Sequence, residues 1–107
     1  MNAATDQKIA TLTDGYVIDM NQTGTRLNVR AVPPGAAGSI AFKWDGQVVR
    51  TESYAPYTIG GDNGADFYDW TPPAGRHTLE LVQYSGTGGS GDIVGVTTLR
   101  LTVIAAG

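Results

Sequence analysis

Period-two alternation in short runs constrains this chain more than any other feature of it. In Arg26 to Ala31, the side chains of Leu27, Val29 and Ala31 point one way, and those of Arg26, Asn28 and Arg30 the other. In Ser39 to Trp44, Ile40, Phe42 and Trp44 share one face, with Ala41 and Lys43 opposite. Towards the C-terminus Leu99, Leu101 and Val103 alternate with Thr98, Arg100 and Thr102. Successive side chains of a strand project to opposite faces, so each run reads as a strand with one buried face. No stretch shows a helical period, and the 15 glycines suit strands joined by tight turns.

Turn signals divide the remaining text into further strands. Lys8 to Leu12 reads as a short first strand, followed by a turn at Asp14-Gly15. Tyr16 to Met20 is a second run, with Tyr16, Ile18 and Met20 on one face, and Asn21 to Gly24 reads as a loop. Pro33-Pro34-Gly35 ends the Arg26 strand, because proline cannot donate to a ladder. Asp45-Gly46 is the strongest hairpin signal and predicts antiparallel pairing across residues 39–52. Tyr54 to Ile59 is extended, kept from helix by Pro56. Gly60 to Gly64 is a loop, Phe67 to Trp70 a brief strand or turn, and Arg76 to Tyr84 a long strand with Leu79 and Leu81 in the core. Ser85 to Asp92 reads as a flexible connection, after which Val94 to Ile104 should pair with Arg76 to Tyr84. About seven to nine short strands with regular turn signals predict an all-β antiparallel sandwich.

The 107 residues make one domain, expected over 8–107 after a flexible segment at 1–7, with no internal repeat. Met1 reads as a start codon placed on a piece of a longer chain, and MNAATDQ has no signal-peptide character. With no cysteine, disulfides and thiolate metal sites are excluded. Net charge is −3, and Arg26, Arg30, Arg50, Arg76 and Arg100 are scattered. A nucleic-acid partner would need a cationic stripe, which is not there. No apolar run approaches a membrane span, so membrane insertion is not expected.

The chemistry-bearing residues concentrate between Arg50 and Leu79. His77 is the single histidine, so a serine triad would have to use it; with no G-x-S-x-G elbow, its plainer role is to pin the corner entering a strand. Asp62, Asp66 and Asp69 lie on one loop, whereas paired carboxylates for glycoside hydrolysis usually come from separate strand ends in a deep cleft. With backbone carbonyls the same three side chains would suit calcium, which takes about six to eight oxygens, although the spacing is not that of an EF-hand. The plainer reading is a solvated turn. Tyr54, Tyr68 and Tyr84 are candidates for stacking on sugar rings, while Trp44 and Trp70 read as core. Lys43 alternates to the outer face, where an intramolecular Lys–Asn bond would be unshielded.

Several segments together resemble one group of bacterial immunoglobulin-like domains. They are LNVRA, GSIAFKWDG, VVRTESYAPYTIGGDNG, DWTPPAGRHTL and the GTGGSG connection, and the similarity runs from about Ile9 onward. The most specific parts are Arg50 to Tyr57, the Gly61-Asp62 loop, and the corner from Trp70 to Leu79. One departure is Trp44, where a smaller aliphatic side chain is expected. The resemblance implies an immunoglobulin-like fold, a secreted or cell-surface protein with many domains, and no catalytic residue to carry over. The expectation is therefore a non-catalytic accessory module acting as a spacer between neighbouring domains of a longer parent chain. The alternative is a polysaccharide-binding module using the 54–70 region. Exposure of Tyr54, Tyr68 and Tyr84 on one face would favour the alternative.

Overall fold

The alternating runs are strands in the computed structural model, which describes residues 1–3, 9–32, 38–54, 57–62 and 68–107. Seven strands run through the described residues: β1 (Val17–Asp19), β2 (Arg30–Ala31), β3 (Ser39–Trp44), β4 (Gln47–Glu52), β5 (Tyr57–Thr58), β6 (Gly75–Tyr84) and β7 (Ile93–Ile104). One helical turn, α1 (Met20–Thr23), follows β1 where the sequence read a loop. Asp19 explains it: the carboxylate accepts from the Asn21 amide at 3.0 Å and caps the turn.

Five strands form one sheet in the order β1-β7-β6-β3-β4, and β2 and β5 form a second. The expected hairpin is present, with Asp45 and Gly46 both at positive φ (53° and 86°), the geometry whose twist matches the flanking strands. The expected pairing of β6 with β7 runs from Gly75 opposite Val103 to Tyr84 opposite Ile93. One pair departs from the antiparallel expectation: β1 runs parallel to β7, with Ile18 opposite Val103. No hairpin joins these two strands, so nothing local imposes the antiparallel direction.

The second layer extends beyond its two short strands. Leu27 bridges Asn2 on one side and Trp70 on the other. The Ala3 amide donates to the Arg26 carbonyl at 2.8 Å, so Met1 to Ala3, read from sequence as part of a flexible segment, lie along residues 26–28. Residues 9–12, read as a strand, carry no ladder. The breaks at Pro33–Gly35 and Pro56 lie outside the described residues.

The core gathers from both layers: Ile18, Met20, Leu27, Ile40, Phe42, Tyr57, Ile59, Leu79, Leu101 and Val103. Leu81 is partly buried against it. The parity of each strand is as the alternation required, but parity does not give burial. Ala41 faces away from the core and is still only 3% exposed, because β3 is an inner strand and Val82 and Thr51 flank it in register. On that same face the Thr87–Gly89 turn folds back onto the sheet. Ser39 Oγ donates to the Gly86 carbonyl and accepts from the Gly89 amide, while Ser53 Oγ accepts from the Gly88 amide. The connection read as flexible is thus pinned by two serine hydroxyls.

Asp14 ties the turn before β1 to β7. Its Oδ1 accepts from the Arg100 amide at 2.8 Å and its Oδ2 lies 2.9 Å from Arg100 Nη2. The Arg100 guanidinium, and next its backbone amide, hold the carboxyl at about 2. A depressed carboxyl contributes stability that is present above the ordinary value near 4 and is lost as pH falls through the folded one. Thermal melts of Asp14→Asn should therefore lose less on going from pH 5 to pH 2.5 than melts of the parent. An equal loss would show that the pair does not contribute.

Candidate functional site: the corner around Asn28

Asn28 sits in an alternating run whose parity turns it away from the core, yet it is only 1% exposed. Residues 60–61 and 68 close over it. Its Nδ2 donates to the carbonyls of Gly61 (3.0 Å) and Tyr68 (2.9 Å). Its Oδ1 accepts from the amides of Gly60 (2.8 Å) and Val29 (2.9 Å). An amide side chain offers two donors and two acceptor sites, so this one is fully used. The sequence reading placed Asn28 on a wet face and missed this role. The available signal was an uncharged amide between Arg26 and Arg30, facing a loop rich in glycine.

Arg50 closes the corner from the other sheet. Its Nε donates to Glu52 Oε1 at 2.6 Å. The guanidinium lies against Gly61, where a Cβ would come within 2.9 Å of Arg50 Cζ. Gly61 also has φ +85°, so both backbone and space call for glycine there. The Arg50-Thr51-Glu52 and Gly60-Gly61 motifs are thereby one structural unit joining the two layers.

Two of the three acidic candidates, Asp62 and Asp69, accept hydrogen bonds from side chains of the fold. Both oxygens of Asp69 accept from Arg26 Nε, at 3.2 and 3.0 Å. Asp62 Oδ2 accepts from Thr58 Oγ1 at 3.0 Å. Asp66 lies outside the described residues. Among the described residues no three carboxylate or histidine side chains are grouped to hold a metal.

The three candidate tyrosines do not all lie on one layer. Tyr54 follows β4 and is 79% exposed; Tyr68 is 49% exposed and its amide donates to the Gly61 carbonyl in the second layer. Tyr84 is half-buried, on the outer side of the five-stranded sheet, near Gly89. Tyr68 and Tyr84 thus belong to different layers.

His77 lies at the end of the corner. Nδ1 is 2.6 Å from Asp45 Oδ2, and Nε2 is 2.9 Å from the Pro73 carbonyl and 3.3 Å from that of Ala74. A histidine serving as a general base for serine needs Nε2 directed at the hydroxyl. Here that nitrogen faces carbonyls. The sequence reading of His77 as a pin for this corner matches the geometry. Trp44 packs beside it, 4.7 Å from the imidazole and 5.1 Å from Trp70 in an edge-to-face pair. Trp44 therefore fills space between strand and corner that an aliphatic side chain would leave empty.

Between the layers lies a cleft of about 650 Å³, walled by Leu12, Tyr16, Val29, Leu81 and Leu99 among others. Asn28 and Trp70 are its links to the corner, and among the described residues its lining holds no carboxylate or histidine.

No family model matches the chain. No curated protein matches it either. Among solved structures it is similar to the Clostridium thermocellum CbhA fibronectin(III)-like modules, at a TM-score of 0.59 and 19% identity, over 91% of this chain and 95% of that one. That likeness, with the sheet order above, shows the fold: an all-β, immunoglobulin-like sandwich.

Proposed function

We propose that this chain is a non-catalytic accessory module that acts as a rigid spacer between neighbouring domains of a longer bacterial protein, secreted or held at the cell surface. One observation carries the reading. Among the described residues, three polar side chains of the corner are used within the fold: Asn28 on four backbone groups, Asp69 on Arg26, and His77 on Asp45 and the Pro73 carbonyl. Groups committed in this way position the two layers and leave little for chemistry on a substrate. The fold likeness to modules of CbhA and the resemblance in sequence both support a modular setting.

The exposure of Tyr54 and Tyr68 favours the second reading, a polysaccharide-binding module. Electrophoresis of the purified domain through gels containing soluble polysaccharides separates the two. No retardation by any polymer is expected. Retardation by one of them, lost in a folded Tyr54→Ala or Tyr68→Ala variant, would replace the spacer with a binding module. Thr58 and Arg26 already bond to Asp62 and Asp69 and would compete with calcium at Asp62, Asp66 and Asp69. Equal melting temperatures in excess calcium and excess chelator are expected.

A further inference from the structure

We propose that His77 is a pH-sensitive latch: as an imidazolium it fastens the β3–β4 turn and the Pro73-Ala74 corner to the start of β6, and its deprotonation lets that end of the module loosen. The geometry is specific about charge. A neutral imidazole has one N–H and one bare nitrogen. Both ring nitrogens of His77 face acceptors, the Asp45 carboxylate on one side and the Pro73 and Ala74 carbonyls on the other. In either neutral tautomer a lone pair would point at an oxygen within hydrogen-bond distance. Only the cation donates on both sides.

Two further contacts act in the same direction. The Trp44 indole is tilted by 32° to the imidazole at 4.7 Å, close enough for its face to attract a cation. Asp45 is itself fixed, with Oδ1 accepting from the Thr78 amide at 2.9 Å and its own amide donating to the Thr78 carbonyl at 2.9 Å. The carboxylate therefore cannot swing away from Nδ1 without breaking its hold on β6.

Other charges nearby are engaged elsewhere. Lys43 and Glu80 pair with each other on the opposite face of β3 and β6. Arg76 flanks His77 on β6 and alternates to that opposite face. Arg100, opposite Thr78 on β7, pairs with Asp14, and Asp69 in the corner segment pairs with Arg26. Among the described residues Asp45 is the charged side chain in contact with the ring. Partial burial draws the imidazole towards its neutral form, but the Asp45 bond and the two carbonyls outweigh it and raise the group above its usual 6.5.

A raised histidine contributes stability that is fully present below the unfolded value, about 6.5, and is lost as pH rises through the folded one. The latch is thus closed in mildly acidic media and opens on the alkaline side. Asp45 is held below its ordinary value, first by its bond to His77, so it stays ionised throughout that window.

Because His77 is the single histidine, its ring signals in an NMR titration are unambiguous. The expected midpoint in the parent protein lies above 6.5, and Asp45→Asn should lower it, since a side-chain amide can donate to a bare Nδ1. Melting temperature should fall more between pH 6 and pH 9 in the parent than in His77→Gln. A midpoint at or below 6.5, a midpoint unmoved in folded Asp45→Asn, or equal pH dependence in His77→Gln would overturn the proposal.

Discussion

Replacing Asn28 with alanine should destabilise the domain by about 3–4 kcal/mol, read from urea unfolding at pH 7. The figure follows from stranding two amides and two carbonyls that Asn28 now satisfies, at roughly 1–3 kcal/mol for each group that water cannot reach. Water entering the opened site would recover part of that cost. Against a total of about 5–15 kcal/mol for a small domain, the variant would be marginal but measurable. Asn28→Asp is the sharper version. Its shape is unchanged, and one oxygen can still accept from the Gly60 and Val29 amides. The other would face the carbonyls of Gly61 and Tyr68, where a carboxylate is repelled and a protonated carboxyl can donate. Asn28→Asp should therefore be more destabilised at pH 7 than at pH 4, relative to the parent at each pH. A loss under about 1 kcal/mol in both variants would mean that Asn28 does not hold the corner.

Phe42→Ala should cost about 3–5 kcal/mol, the range for truncating a buried aromatic. Phe42 is 0% exposed, on a strand flanked by β6 and β4, and it belongs to the cluster that includes Leu27, Tyr57 and Ile59 from the second layer. The cavity left behind would lie between the sheets, where neither can collapse without breaking its ladder. Val96→Ala, on the exposed face of β7, is the matched control and should stay within about 0.5 kcal/mol. A similar small loss in Phe42→Ala would show that the two layers do not pack through it.

The long strands were legible because each buries one face. Leu79 in β6, Leu101 and Val103 in β7, and Ile40 and Phe42 in β3 stand where period two put them. The Asp45-Gly46 turn was legible because few residue pairs accept two positive φ values in succession. What parity cannot show is whether something covers the other face. Ala41 and Asn28 both point away from the core, yet Ala41 is buried between flanking strands and Asn28 by a segment that folds over it. Nor does composition show how a glycine-rich loop is held; that depends on Ser39 and Ser53, which are 47 and 35 residues from their partners. The parallel placement of β1 was hidden because a three-residue strand fits either direction.

For the candidate site the limits were of the same kind. Asp69 reads as an available ligand in sequence, and the partner that occupies it, Arg26, is 43 residues away. Tyr54, Tyr68 and Tyr84 are close in composition and polarity, but their sheets separate Tyr68 from Tyr84. His77 could be assigned to its corner because the neighbouring prolines and Gly75 already marked a turn there.

Native-state hydrogen exchange at the corner amides bears most directly on whether this region is scaffold or a mobile binding loop. The Gly60 amide donates to Asn28 Oδ1, the Ile59 amide to the Val29 carbonyl, and the Trp70 amide to the Leu27 carbonyl at 2.6 Å. If the corner is scaffold, these three amides should exchange only through global unfolding, with the same opening free energy as the β3 and β6 ladder amides. Exchange through a local opening well below that value, while the ladders stay protected, would contradict the spacer and indicate a corner built to move.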